Sequence, residues 1–174
     1  MANTYTLISS NTLSSSAASV TFSSIPSTYT DLVVKISART DRATTSTGIR
    51  LTFNGSSAAS YSYVYVLGSG TTASSSRTSN NTVATFGSVA AATSTANTFS
   101  SHELYIPSYN NTSQNKPFSS SNAYENNTAA AELSAYANLW SNTSAISSIT
   151  FTQAGTGTNF VTGSSFYLYG VKNS

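Results

Sequence analysis

Short runs of alternating apolar and polar residues, separated by Ser, Thr, Asn and Gly, recur along this chain. From Asp31 to Arg39, Leu32, Val34, Ile36 and Ala38 fall on one face, and Val33, Lys35, Ser37 and Arg39 on the other. That period of two is the signature of a half-buried strand. Ile49 to Asn54 repeats it, with Ile49, Leu51 and Phe53 inward, and Asn54-Gly55 then supplies a turn because both residues tolerate positive φ. Tyr61 to Leu67 is apolar or aromatic on both faces, with Tyr61, Tyr63, Tyr65 and Leu67 against Val64 and Val66. Weaker patterns mark Tyr5–Ser9, Ser19–Ser24, Thr82–Phe86 and Phe99–Ile106. The signal strengthens over Leu133–Trp140, Ile146–Thr152 and Ser165–Val171.

A helix competes for Ala129–Leu139, where Ala-Ala-Ala-Glu-Leu sits. Tyr136 and Trp140 suit a sheet face, and the neighbouring segments are strands, so the pattern favours a strand there. Evenly spaced strands predict a sandwich or barrel. The connecting loops are expected at Asp41–Gly48, Gly68–Asn81, Ala90–Asn97, Asn110–Lys116 and Gly155–Gly163. Leu13–Ser19 is a Ser/Ala stretch of low complexity. No internal repeat and no shift in composition marks a second domain. The expectation is a single domain over residues 1–174, with 1–19 a possible extended N-terminal arm.

Composition sharpens this picture. Ser, Thr and Asn number 37, 27 and 16 among 174 residues, while charged residues are 7%. The Glu and Lys that cover helix surfaces are missing, so a bundle or coiled coil is excluded. The net charge of +2 and the eleven Tyr and eight Phe argue against a charged disordered tail. The seven basic residues, Lys35, Arg39, Arg42, Arg50, Arg77, Lys116 and Lys172, form no cluster along the chain. A nucleic-acid footprint needs a basic patch or stripe, so no nucleic-acid partner is expected. No apolar run approaches the roughly 18 residues of a spanning helix, so no membrane partner is expected either.

Candidate chemistry is sparse. There is no cysteine, which removes thiol catalysis and Cys-based zinc sites. The one histidine, His102, adjoins Glu103 on an expected strand. Adjacent strand residues point to opposite faces, so the two do not form a local pair. His102 shares its face with Leu104 and Ile106 and reads as a core or interface residue. The acids Asp31, Asp41, Glu103, Glu125 and Glu132 are dispersed. Neither the paired carboxyls of a glycosidase nor a calcium loop is indicated. Gly68-Ser69-Gly70 and Gly155-Thr156-Gly157 match no nucleophile elbow, and no phosphate loop occurs. The expectation is a protein without enzymatic activity, catalytic residues, cofactor or metal. The six Asn-x-Ser/Thr sequons are what chance gives at this Ser and Thr content. The tyrosines carry more information. Tyr61, Tyr63 and Tyr65 share one face, and Tyr167 and Tyr169 share another. Core packing, an oligomer interface and sugar stacking are three readings of them. On the second, these five residues are the interface candidates.

Three stretches together resemble a known group. The first is Phe22-Ser23-Ser24-Ile25-Pro26-Ser27-Thr28-Tyr29-Thr30-Asp31-Leu32. The second is Ile49-Arg50-Leu51-Thr52-Phe53-Asn54-Gly55 with the following Tyr61-Ser62-Tyr63. The third is Leu139-Trp140, Ile146-Ser147-Ser148-Ile149-Thr150-Phe151 and the closing Phe166-Tyr167-Leu168-Tyr169-Gly170-Val171-Lys172. Over about residues 4–172 the chain resembles small β-rich virion proteins of tailed bacteriophages, common in cyanophages. Members look like capsid decoration (cement) proteins or tail-fibre and spike components. The resemblance implies an all-β, jelly-roll-like antiparallel sandwich of about eight to ten strands. It also implies a homotrimer on the outer capsid surface with the major capsid protein as partner, and it carries no catalytic residues. The alternative within the same resemblance is a tail-fibre domain that binds a host receptor or glycan.

Overall fold

In a computed structural model of the chain, residues 4–127 and 131–172 are described, and the period-two pattern becomes twelve strands among them. They are β1 (Tyr5–Thr12), β2 (Val20–Phe22), β3 (Asp31–Ala38), β4 (Ser46–Phe53), β5 (Tyr61–Ser69) and β6 (Thr72–Asn81). β7 (Ala84–Ala90), β8 (Ser100–Ile106), β9 (Lys116–Glu125), β10 (Ala131–Trp140), β11 (Ile149–Gln153) and β12 (Ser165–Val171) complete the set. The fold is all-β. An eight-stranded antiparallel sheet, ordered β1-β12-β3-β8-β9-β10-β5-β6, packs against a four-stranded antiparallel sheet, ordered β2-β11-β4-β7.

Two strands exceed the expected ten. β6 falls inside Gly68–Asn81, which the sequence marks as a loop. Its Thr-Ala-Ser-Ser-Ser-Arg-Thr-Ser-Asn-Asn has no apolar alternation to signal a strand. It exists because β5 offers a ladder, with Val64 opposite Arg77 and Val66 opposite Ser75. β9 was hidden differently. Its buried positions are Lys116, Phe118, Ser120, Asn122 and Tyr124, so most of the inward face is polar. β10 is a strand over Ala131–Trp140, as the neighbouring strands and aromatics suggested, and residues 129–130 of the rival helix lie outside the described residues. The N-terminal segment read as an arm lays Tyr5–Thr12 along β12 of its own chain. Leu13 enters the core, and Ala17 bridges to Phe160.

The core lies between the sheets. Inward side chains Leu32, Val34, Ile36, Leu104, Phe166 and Leu168 of the large sheet meet Ile49, Leu51, Phe53, Phe86, Ile149 and Phe151 of the small one. Aromatic rings meet edge to face in this core: Phe22 and Phe151 at 6.1 Å, Phe151 and Phe86 at 6.0 Å, Phe166 and Phe160 at 5.1 Å and, from one sheet to the other, Phe53 and Phe118 at 5.2 Å. Such pairs add to the burial of their area. Two glycines mark where backbone and side chains crowd. A Cβ on Gly170 would sit 2.3 Å from the Tyr29 ring. One on Gly87, at φ +153°, would sit 2.6 Å from Asn122 Oδ1. Only hydrogen fits at either place.

Two cations are used as loop anchors. The Arg39 guanidinium donates to the carbonyls of Ala92 (3.3 Å), Ser94 (2.9 Å), Thr95 (2.8 Å) and Thr98 (2.9 Å), which fixes the β7–β8 connection. Lys116, buried, donates to the carbonyls of Asn111, Gln114 and Thr143. Burial lowers its ammonium pKa. Asn54 does similar work without charge. At φ 52° it starts the turn with Gly55, its Oδ1 accepts from the Ser147 and Ser148 N–H groups, and its Nδ2 donates to the Ala145 carbonyl.

Replacing Arg39 by Met removes four charge-assisted bonds from one loop. Urea unfolding should show a loss of about 2–3 kcal/mol. Arg39→Lys should recover less than half, because one ammonium does not span the four carbonyls. Unchanged stability in Arg39→Met would show that the loop holds itself.

Candidate functional site

The small sheet is half as wide as the large one, and this difference sets what the large sheet exposes. β7 packs over β8, β9 and β10, and only marginally reaches β5. β6 is uncovered: its inward-parity residues Ser74 and Ser76 are exposed. The other face of the large sheet has no element packed against it among the described residues.

That outer face carries every large apolar side chain that is strongly exposed among the described residues: Tyr5, Leu7, Val64, Val66, Tyr105 and Leu133, from 41% for Tyr105 to 68% for Leu133. Register places them together. Leu7 is opposite Tyr169, Tyr105 opposite Val33, Val64 opposite Ala137 and Val66 opposite Ala135. The face has two halves. On β1, β12, β3 and β8 it is aromatic: Tyr5 meets Tyr169 edge to face at 6.4 Å, and Val33, opposite Tyr169 and Tyr105, is buried. On β9, β10, β5 and β6 it is recessed. Gly68, Ala73, Ser75, Ser121 and Ala135 line a trough of about 820 Å³, with Val66 and Leu133 at its sides. An apolar face of this extent on a sheet marks an interaction surface.

Charge on the face is low and mostly cancelled. Lys35 is ion-paired with Glu103, which raises the Lys35 pKa through that hydrogen bond. Asp31 accepts from the Tyr105 hydroxyl at 2.8 Å and from the Ser108 N–H at 2.8 Å, and the carboxylate pushes the Tyr105 phenol pKa up. Arg77 stands exposed on the edge strand β6.

The five sequence candidates separate. Tyr167 and Tyr169 lie half-buried on the outer face. Tyr61 does not belong to any interface: it is fully buried, stacked on Trp140 at 6.2 Å, and its hydroxyl accepts from the Phe53 N–H at 2.9 Å. Burial raises its phenol pKa. The reason is its position at the end of β5 that the small sheet still covers. Tyr63 and Tyr65 point the same way farther along β5, where that cover ends. They remain half-buried, packed on Tyr136 at 5.8 Å and 5.0 Å. Burial pushes the Tyr136 phenol pKa up strongly. Sequence reasoning missed Tyr5, Leu7, Val64, Val66, Tyr105 and Leu133. For Val64 and Val66 the signal was present, since Tyr61–Leu67 is apolar on both faces.

Titratable groups do not converge. No group of three or more His, Asp or Glu that could hold a metal occurs among the described residues. His102 points inward, away from Glu103, as strand alternation requires. It packs on Phe86 at 6.0 Å, and neither ring nitrogen has a hydrogen-bond partner among the described residues. Nearby, Asn122, Ser134 and Glu132 form a small network, with Asn122 Nδ2 donating to Glu132 Oε1 at 3.3 Å and Ser134 Oγ to the same oxygen at 2.9 Å.

Burial lowers the His102 pKa to about 3 from 6.5. Between those pH values the unfolded chain takes up a proton that the folded chain refuses. His102 therefore costs nothing above pH 6.5, and stability falls as pH drops from there toward 3, by about 1.4 kcal/mol per unit. His102→Phe should flatten that slope in urea titrations and leave stability at pH 7 equal or higher, since two unpartnered ring nitrogens leave the core. An identical slope in the variant would rule out a buried neutral His102.

Comparison with family models, with curated proteins and with solved structures finds no match for this chain.

Proposed function

We propose that the protein is a structural virion component, a capsid decoration (cement) protein that lies on the outer capsid surface and bridges neighbouring major capsid subunits. In this reading it acts as an oligomer, a homotrimer, and performs no catalysis. The observation that supports it is the outer face of the large sheet, where the exposed apolar side chains gather while no titratable cluster forms among the described residues. The resemblance of residues 4–172 to phage virion proteins supplies the setting. The mechanism is mass action: a protein that binds the assembled shell and not its separated parts shifts the balance toward the shell. Repetition over a lattice turns weak contacts into avidity. With 7% charged residues, these contacts should depend little on salt.

A second reading, a tail-fibre or spike domain that binds a host receptor or glycan, draws on half-buried Tyr63 and Tyr65 packed on buried Tyr136, beside Glu132 and Asn122. Aromatic faces beside polar groups suit sugar rings.

Particles lacking the protein should assemble and then release DNA at lower temperature than wild type when heated in parallel. Adsorption to host cells, measured alongside, should be unchanged. Equal heat release with lost adsorption would sink the cement assignment and favour the tail-fibre reading.

A further inference from the structure

We infer that the small sheet binds a phosphate or sulfate group at Arg50, on the face turned away from the core. The site goes beyond the structural role proposed above and does not rest on it. β4 sends Ile49, Leu51 and Phe53 into the core, so Arg50 between them points the other way. Register sets Thr85 of β7 and Thr152 of β11 opposite Arg50, one on each side and about 4.8 Å away. The buried and half-buried cations are Arg39, Arg42, Arg50 and Lys116. Arg39 and Lys116 serve loop carbonyls, and Arg42 donates to Thr47 Oγ1 at 3.0 Å and to the Ala154 carbonyl at 2.9 Å. Arg50 makes no hydrogen bond and no ion pair among the described residues, although its Nε is shut off from water. A guanidinium has only donors, and one withdrawn from water without an acceptor is costly. No carboxylate of the chain is placed to answer it. Asp31 is held by Tyr105 and Ser108, Asp41 by Asn159, Glu103 by Lys35, Glu125 by the Asn127 N–H, and Glu132 by Asn122 and Ser134.

Room for the anion lies in the next row of the same face. There Gly48 stands beside Ala154, whose N–H donates to the Gly48 carbonyl at 2.7 Å, so low side chains adjoin the guanidinium. The Arg42 guanidinium, bonded to the Ala154 carbonyl, adds a second positive charge at this end of the sheet. Charge and donor count then select the ligand. A guanidinium fork takes two oxygens of an anion. A carboxylate has no more than two, and would leave the Thr85 and Thr152 hydroxyls unused. A phosphate or sulfate has further oxygens for hydroxyls on either side of the fork. The ligand class is therefore a tetrahedral oxyanion, free or carried as an ester.

The test titrates the full chain, labelled with nitrogen-15, with inorganic phosphate and with sulfate at constant ionic strength. The Arg50 Nε–H resonance and the backbone amides of Thr85 and Thr152 should shift and saturate, with a Kd on the order of 1 mM. Arg50→Met should weaken binding at least about tenfold, and Arg50→Lys should recover only part, because an ammonium lacks the fork. Gly48→Asp keeps Arg50 and sets a carboxylate beside it, so the amide shifts should vanish. A Cβ at Gly48 would meet Ala154 Cβ at 3.5 Å and Thr85 Cγ2 at 3.8 Å, which are ordinary contacts, so the melting temperature should hold. Should Arg50→Met melt early, Gly48→Asp still decides. Arg77→Met, on the edge strand β6, should bind as wild type does. A sugar phosphate bound more tightly than inorganic phosphate would support the site and name an ester as its ligand, and equal binding would support the free ion. No saturable shift, acetate bound as tightly as phosphate, or binding that survives both Arg50→Met and Gly48→Asp would each overturn the inference.

Discussion

Burial of apolar surface between two sheets of unequal width governs this molecule. Four strands do not cover eight. Where the small sheet lies, the large sheet buries Leu, Ile, Val and Phe to near-complete exclusion of water, as hydrophobic burial demands. Beyond its edge, the same strands continue with nothing above them. Tyr63, Tyr65 and Tyr136 answer that problem by packing on one another. The tyrosine cluster is thus a consequence of sheet mismatch before it is a candidate for binding anything.

A second consequence follows for the polar interior. The inward faces of β8, β9 and β10 carry His102, Ser120, Asn122, Ser134 and Asn138, all buried. Ser120 donates to the Phe86 carbonyl, and Asn122 lies so close to Gly87 that no side chain fits there. Gly87 lets the Phe86 carbonyl come near enough to take the Ser120 hydroxyl, Asn122 and Ser134 bond each other and Glu132, and His102 and Asn138 keep polar atoms with no hydrogen-bond partner among the described residues. Buried Arg39 and Lys116 follow the same logic, each exchanging water for loop carbonyls. Few as the charges in the chain are, Arg39 and Lys116 are used to hold long Ser- and Thr-rich connections in place.

The outer face is where structure and the functional reading meet. A monomeric sandwich with one solvated face alternates cleanly between apolar and polar residues. β5 departs from that rule, with Val64 and Val66 outward, and β1 departs from it with Tyr5 and Leu7. The edges are guarded only lightly. β1 has a bulge between Leu7 and Ser9, and β6 has Arg77, devices that discourage strand addition at a sheet edge. The face itself carries its exposed apolar side chains without such a guard.

The sequence by itself determined the all-β class, the central strands and several turns, because period-two alternation and Asn-Gly act within a few residues. Leu32 to Ala38 and Ile49 to Phe53 needed no distant partner to be legible. It also separated His102 from Glu103, since alternation alone sends neighbours to opposite faces. Tertiary structure decided the rest. β6 is Ser-rich and became a strand only because β5 pairs with it. β9 hid its alternation behind polar residues that the Phe86 carbonyl, loop carbonyls and the Ser134 and Glu132 side chains satisfy. How deeply Tyr61 is buried turned on where the small sheet ends, and Tyr63, two residues on, is only half-buried. The outer face joins residues as distant as Leu7 and Leu133, and strand order, which no local pattern encodes, brings them onto one surface.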